Sequence, residues 1–308
     1  MRIGLIDVDG SNFPNIALMK LSAAHKLLGD TVEWYTPFGE KYDVVYKSKV
    51  FSFTPDYDLC INADKIVEGG TGYCISLKNG KEIYEKKCDT LPGWIEHIYP
   101  DYSLYNITDT AYGFLSRGCP RNCGFCIVCE KEGRKSVKVA DLEDFWNGQK
   151  KVVLCDPNIL ACREWRDLLT QLKESKAYVD FNQGLDIRLM TPEKIEYLNR
   201  IKMKDIHFAW DRWEDKDIIL PKLKLFAEYS KIKNPHNRIV YTIVNYDTTF
   251  EQDLERIYKL RDMGYWAYVM IYKKTHCSQK YKDLARWVNN RILFAKCERF
   301  EDYKVGGG

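Results

Sequence analysis

The N-terminal hundred residues alternate short apolar runs with one stretch of helical periodicity. The pattern predicts an apolar strand over residues 3–8, a helix over 15–28 and a second strand over 31–35. Residues 43–53 and 59–61 are further strand candidates, and a glycine turn at 69–72 follows them. Since strand–helix–strand order is typical of a parallel sheet, we predict a small Rossmann-like α/β domain here.

From residue 111 onward, short apolar strands alternate with longer helical stretches. Strands are predicted at residues 111–116, 151–155, 178–182, 205–210, 239–245 and 266–272. Helices are predicted at residues 142–147, 164–174, 192–201, 218–230 and 250–263. Six strand-then-helix repeats predict a parallel sheet with right-handed crossovers. Because a closed eight-fold barrel needs more repeats, we expect a partial (βα)6 TIM-like barrel.

Three regions follow from this pattern. Residues 1–105 are predicted to form the Rossmann-like domain and a linker, because the segment 91–109 is rich in Pro, Tyr and Asp and weakly periodic. Residues 106–275 are predicted to form the partial barrel. Residues 276–308 are predicted to be a C-terminal extension that begins as a helix.

Composition excludes several classes of protein. The 47 basic and 44 acidic residues leave a net charge of only +3, so no strong polyanion-binding field is implied, although local patches stay open. No stretch approaches the roughly 18 uncharged apolar residues that a membrane-spanning helix needs. The N-terminus lacks the features of a signal peptide. We therefore expect a cytoplasmic protein with no membrane partner.

Cysteine usage points to a metal site. Eleven cysteines, an odd number spread unevenly over 308 residues, argue against a disulfide framework. Four of them lie between Cys119 and Cys129. Most of the others are expected to be small buried hydrophobic side chains.

The spacing inside this group distinguishes the kinds of metal site. Zinc sites usually combine two CxxC pairs, whereas Cys119, Cys123 and Cys126 are spaced three residues apart and then two, with no matching second pair. Three thiolates on one loop can hold three irons of a cubane cluster and leave the fourth iron open to a small molecule. Cys129 is not expected to be a ligand, since a fourth thiolate would close the cluster.

The segment Ser-Arg-Gly-Cys-Pro-Arg-Asn-Cys-Gly-Phe-Cys, residues 116–126, resembles the CxxxCxxC cluster loop of the radical S-adenosylmethionine (SAM) superfamily. Phe125, just before the last cysteine, is also similar to the family's pattern, and we include it among the cofactor-binding residues. The resemblance is to the branch with cobalamin-binding-type and methylthiotransferase-type enzymes. It implies a 4Fe–4S cluster that binds SAM and cleaves it to a 5′-deoxyadenosyl radical, which abstracts hydrogen from a substrate. An electron donor such as flavodoxin or ferredoxin is also implied. The alternative is a non-catalytic iron–sulfur or zinc module that contacts a partner.

Polar residues at the ends of the predicted barrel strands are the candidates for contacts with SAM. After the second strand come Asp156 and Asn158, at the position that helps to bind the SAM amine in related enzymes, although the usual Gly-Gly-Glu is absent. The third strand ends with Gln183, Asp186 and Arg188. Arg188 is a candidate for the SAM carboxylate, because a guanidinium matches a carboxylate in a two-pronged fashion; an internal ion pair with Asp186 is the alternative.

The fourth and fifth strands add two further cofactor-binding candidates. Asp211 follows the fourth strand and is a candidate for a ribose hydroxyl or the substrate. Asn245 lies at the end of the fifth strand. The sequence names no catalytic residue beyond these candidates. The substrate stays unidentified and is expected to be a nucleic acid, a peptide or a small metabolite.

The N-terminal domain is similar to a reduced form of the cobalamin-binding domain of one radical SAM class. It lacks the Asp-x-His-x-x-Gly motif that supplies the lower axial histidine, and it is short for enclosing a corrin. Some members bind cobalamin without that histidine, so cobalamin is an option that the sequence disfavours. Methylthiotransferases carry a second cluster in this region, but the flanks of Cys60, Cys74 and Cys88 do not match their motifs. No auxiliary cluster is expected.

Overall fold

The computed structural model describes residues 1–78 and 81–303. It divides into two compact units, residues 1–153 and the residues from 154 onward. The boundaries expected at 105/106 and 275/276 stay predictions. Within the described ranges, no helix has both the length and the apolar character needed to cross a membrane.

The first unit opens with a parallel four-stranded sheet in the order β2-β1-β3-β4. Its elements are β1 (Arg2–Asp7), α1 (Ile16–Leu27), β2 (Thr31–Trp34), β3 (Tyr42–Ser48) and β4 (Ala63–Gly69). Helix α1 begins at Asn15, whose side chain accepts a hydrogen bond from Leu18 N and donates one to Ser48 Oγ. Leu18 of the helix then packs on Ile3 of the central strand, and both are fully buried. The predicted strand–helix–strand order and parallel pairing are thus present, and the Rossmann-like character of the unit stays a prediction.

Further elements complete this unit. They are the antiparallel hairpin β5 (Ile75–Lys78) and β6 (Lys81–Tyr84), α2 (Gly93–Glu96), β7 (Thr110–Gly113), β8 (Ser116–Arg117), α3 (Val128–Glu132), β9 (Val137–Lys138) and β10 (Lys151–Leu154). Strand β7 lies beside β10, and the short strands β8 and β9 pair in antiparallel.

Two local predictions are corrected in this unit. Residues 59–61 are not a strand, and the edge strand is β4 instead, whose mostly polar, solvent-facing sequence gives no apolar pattern. The predicted helix over 142–147 is a single 3-10 turn at Leu142–Asp144. A capping box between Asp141 and Asp144 starts this turn, and Phe145 already leaves the helical conformation.

The second unit alternates helices and strands as predicted. Its elements are α4 (Trp165–Ser175), β11 (Tyr178–Phe181), α5 (Pro192–Leu198), β12 (Ile206–Ala209), α6 (Lys216–Tyr229), β13 (Arg238–Val244), α7 (Phe250–Asp262), β14 (Trp266–Ile271), α8 (Gln279–Asn289) and α9 (Arg291–Lys296). Strands β12, β13 and β14 form one parallel sheet. Between the segments that contain β11 and β12, the structure gives the isolated bridges Tyr178–Lys202 and Leu185–Phe208, so a continuous partial (βα)6 barrel is not confirmed.

One face of the β12–β14 sheet carries the core of the second unit. Phe208 of β12 meets Phe226 of α6 edge to face at 4.9 Å, and both are essentially fully buried. Ile257 of α7 and Trp287 of α8 are also fully buried. Each such side chain contributes about 1.5–3 kcal/mol by leaving water. Packing of the helices on the sheet therefore fixes the positions of the strands and of the residues at their ends.

Candidate functional site

The cysteine loop begins at a glycine that no other residue can replace without strain. Gly118 has φ +86°, and a Cβ at this position would lie 2.1 Å from the Lys135 carbonyl oxygen. The amide of Cys119 donates to Gly133 O at 3.1 Å, so the two ends of the loop are held together. The loop is thus anchored beside the β8–β9 pair.

An ion-pair group braces the start of this loop. Arg117 contacts Glu132 and Glu96, each at 3.3 Å, and its guanidinium lies 3.9 Å from the centre of the Phe114 ring. The other oxygen of Glu132 accepts a hydrogen bond from Gly118 N at 3.2 Å. The sequence alone did not single out Glu132, because a glutamate among the mostly charged residues 130–135 is typical of an exposed segment.

The three cysteines of the motif differ in burial from the fourth. Cys119, Cys123 and the aromatic Phe125 are half-buried, and Cys126 is exposed. The amide of Cys126 donates to Cys123 O at 2.9 Å, which closes a turn between the second and third cysteines. A metal ion or cluster arriving from solvent therefore has access to this loop.

Cys129 is turned away from solvent. It is only 7% exposed, and its Sγ lies 3.3 Å from Cys119 O and in contact with Arg121 O. Burial, followed by the neighbouring Cys119, raises the pKa of its thiol. The Cys129 Sγ therefore lies against the backbone of its own loop, and the expectation that Cys129 is not a ligand stays a prediction.

The donor set fits an iron–sulfur cluster by its chemistry. Thiolates are the usual ligands of such clusters, and the loop supplies three of them. Within residues 1–78 and 81–303, no three or more His, Cys, Asp or Glu side chains are already gathered in an arrangement that could hold a metal ion. The fit thus rests on the thiol donors, on the spacing of the cysteines and on the access of solvent to their loop. That the three cysteines are ligands stays a prediction.

In the second unit, the structure brings three of the predicted residues together. Asn158 Nδ2 lies 3.4 Å from Asp186 Oδ2, and Asp186 Oδ1 accepts hydrogen bonds from Arg188 N and Nε at 3.2 and 2.7 Å. Arg188 Nη1 also donates to Asp215 Oδ2 at 2.6 Å. Asp215 was not predicted, because it lies 27 residues further along the chain.

The sequence left open whether Arg188 forms an internal ion pair with Asp186. The internal Asp186–Arg188 ion pair is present, and Arg188 is held by two carboxylates. Asp156 and Asn158 are buried near the start of the unit, whereas the Gln183 side chain is exposed. The roles of these residues in binding a cofactor stay predictions.

The remaining two candidates lie where β12 and β13 end. Asp211 accepts a hydrogen bond from Ile243 N at 3.2 Å, and burial raises the pKa of its carboxyl to about 6. Asn245 adopts a left-handed conformation with φ 63°, and its Nδ2 donates to Tyr272 O at 3.0 Å. Both residues thus tie neighbouring strand ends together, and their cofactor roles stay predictions.

A buried ion pair behind these strand ends escaped the sequence analysis. Asp253 and Arg256 of α7 are both fully buried and form a salt bridge. Arg256 also donates to the carbonyls of Trp210 and Ile243, and Asp253 accepts from Asn245 N. In sequence, an Asp–Arg pair three residues apart on a helix is indistinguishable from a solvent-exposed pair.

Of the three N-terminal cysteines considered for a second cluster, two are neighbours. The Sγ atoms of Cys74 and Cys88 are 3.7 Å apart, and burial raises the pKa of Cys88 to about 11. Cys60 is exposed. The expectation of no auxiliary cluster stays a prediction.

No family model matches the sequence, and comparison with curated proteins finds no relative. Two solved structures of TsrM, a radical SAM methyltransferase from Kitasatospora setae, are similar to the chain. One holds cobalamin and a 4Fe–4S cluster, and the other holds tryptophan substrate and the SAM analogue aza-SAM. Both are 12% identical and match 87% of this chain, with TM-scores of 0.42 and 0.41. The chain spans about two thirds of the TsrM length, 66% and 67% in the two matches.

A likeness of this size carries no argument about chemistry, and the bound molecules are properties of TsrM. The sequence-based view that cobalamin is disfavoured gains no support from it and stays a prediction. Over most of its length, the chain is similar in structure to a radical SAM methyltransferase.

Proposed function

We propose that the chain is a radical SAM enzyme whose Cys119, Cys123 and Cys126 hold a 4Fe–4S cluster. The observation that carries the proposal is the difference in burial among the four clustered cysteines. The three with the CxxxCxxC spacing are half-buried or exposed, while Cys129 is buried against the backbone of the same loop. This leaves three protein thiolates and no fourth within the loop.

When bound, such a cluster would supply the electron that cleaves SAM to methionine and a 5′-deoxyadenosyl radical. The chain's own residues fix the loop for this purpose. Gly118 permits the left-handed turn into Cys119, and Glu132 holds both Gly118 N and Arg117. The Cys129 Sγ contacts the Cys119 and Arg121 carbonyls of the same loop.

The second unit would supply polar groups for SAM. Asp211 is the proposed acceptor for a ribose hydroxyl, because at pH 7 its carboxyl, with a pKa of about 6, is mainly ionised. The proposed role of Arg188 toward the SAM carboxylate requires it to exchange Asp215 for the ligand while it keeps Asp186. The partners that we propose are an unidentified substrate and an electron donor such as flavodoxin or ferredoxin.

The test is anaerobic reconstitution with iron and sulfide, followed by reduction with dithionite in the presence of SAM. We expect about four irons and four sulfides per chain and the formation of 5′-deoxyadenosine. Cys119→Ala, Cys123→Ala and Cys126→Ala should each lose both. Cys129→Ala is the matched control on the same loop, and it should keep the cluster and the product.

Three outcomes would contradict the proposal or its assignment of ligands. A chain that takes up zinc but no iron has a different metal site. If the chain holds an iron–sulfur cluster but gives no 5′-deoxyadenosine, with or without candidate substrates, it is a non-catalytic iron–sulfur module that contacts a partner. Loss of the cluster in Cys129→Ala with retention in Cys119→Ala would overturn the assignment of ligands.

A further inference from the structure

Two adjoining cavities lie along one edge of the second unit's sheet. The first, of about 430 Å³, is lined by residues just before β12 and β13, among them Lys202, Lys204, Lys231 and Lys233. The second, of about 470 Å³, is lined by residues just before β13 and β14 and by α9, with Arg261, Arg291 and Lys296. The segment 230–237 contributes to both cavities. Because the three strands are parallel, this is the edge at which they all begin, opposite to Asp211 and Asn245.

The charge on this edge is strongly one-sided. Seven lysines and arginines line the two cavities, and Glu298 is the acidic residue that lines them. In the parts of the chain that the structure describes, none of the seven forms a salt bridge, whereas many other basic residues of the chain are paired. The chain as a whole has a net charge of only +3. A concentration of cations without counter-charges is the electrostatic footprint of a polyanion partner.

Aromatic rings lie among these cations. Tyr178 is 58% exposed and lines the first cavity, with Lys202 Nζ 6.0 Å from the centre of its ring. Arg291 lies over the ring of Trp266 at 4.3 Å in the second cavity. An exposed ring beside a cation, as Tyr178 is beside Lys202, can stack an unpaired base while the cations hold phosphates.

We propose that this edge of the second unit binds single-stranded nucleic acid, with phosphates on the seven basic residues and a base stacked on Tyr178. Half-exposed aromatic stacking favours a single strand over a duplex, since duplex bases are not available to a protruding ring. The site lies at the opposite end of the strands from the proposed SAM contacts. The inference therefore goes beyond the proposed function and does not depend on a cluster or on SAM.

The test is fluorescence anisotropy of the full chain with labelled 20-nucleotide single-stranded DNA and RNA over a range of salt concentrations. If four to seven phosphates are neutralised, log K should fall with log salt with a slope of about −3 to −5. The double variant Lys202→Gln/Lys204→Gln should reduce the steepness by about 1.4 and weaken binding about 25-fold near 0.1 M salt. Lys224→Gln/Lys282→Gln removes two exposed lysines elsewhere in the unit and should bind like the original chain.

Tyrosine variants separate stacking from charge. Tyr178→Ala should weaken binding about tenfold, and Tyr178→Phe should restore it, because the ring and not the hydroxyl stacks on the base. Inorganic phosphate and AMP should compete only at much higher concentration than the oligonucleotide. The proposal is overturned by no binding at 50 mM salt, by equal losses in both double-lysine variants, or by AMP binding as tightly as the oligonucleotide. Equal affinity for a duplex together with an unchanged Tyr178→Ala variant would also refute it. Each result is independent of 5′-deoxyadenosine formation, so failure here and failure of the proposed enzyme are distinguishable.

Discussion

Replacing Arg256 with Leu tests whether the buried ion pair of α7 fixes the strand ends. The guanidinium is fully buried and has three partners: the Asp253 carboxylate and the carbonyls of Trp210 and Ile243. Leucine retains apolar bulk but leaves a buried carboxylate with no cation beside it. Breaking one side of such a pair costs about 3–5 kcal/mol.

The assay is equilibrium unfolding in guanidinium chloride, followed by circular dichroism. Arg256→Leu should lower the free energy of unfolding by about 3–5 kcal/mol, whereas Arg200→Leu, which breaks an exposed pair with Glu196, should change it by less than about 0.5 kcal/mol. In an Asp253→Asn background the same Arg256→Leu change should cost clearly less, because no buried charge is then orphaned. A loss below about 1 kcal/mol for Arg256→Leu, or no coupling to Asp253, would refute this account of the strand ends.

Two further predictions concern single positions. Burial raises the pKa of Asp211 from 3.8 to about 6, so the folded chain binds more protons than the unfolded chain between these values and its stability falls as pH rises through this range. Asp211→Asn keeps an oxygen that can accept from Ile243 N but removes the titrating carboxyl. Its free energy of unfolding should match that of the original chain near pH 4 and exceed it by on the order of 2–3 kcal/mol at pH 8. Equal pH profiles of stability for the two chains would contradict this. Gly118→Ala should distort the cysteine loop and lower the iron bound after reconstitution at least severalfold, because the new Cβ would meet Lys135 O at 2.1 Å, whereas Gly133→Ala, also at positive φ but with nothing within 4 Å, should lose less. Equal iron content in both glycine variants would show that close packing at Gly118 is not needed.

Elements whose formation depends on local apolar patterning were predictable. The strands from β10 to β14 start and end within one or two residues of their predicted positions, because each is a short apolar run bounded by polar or turn residues. Strand β4 and the β5–β6 hairpin were missed, since they lie at edges and carry few apolar residues. The periodicity of apolar residues reflects burial, and an exposed strand shows little apolar periodicity.

In the candidate site too, local features were predictable from the sequence and long-range contacts were not. The spacing of Cys119, Cys123 and Cys126 is local, so the sequence alone singles it out. The partners of Arg188 and Asp211 are set by contacts across many residues, such as Arg188–Asp215, and no local pattern contains them. The basic edge around Lys202 and Arg291 was also missed, because its residues come from several loops and sum to little in the net charge.

The most direct test of the central claim is the SAM cleavage assay on the reduced, reconstituted chain. The account predicts 5′-deoxyadenosine and methionine in equal amounts, no product from Cys123→Ala, and product from Cys129→Ala. Formation of 5′-deoxyadenosine by Cys123→Ala, or its absence from a chain that carries a full 4Fe–4S cluster, would contradict it.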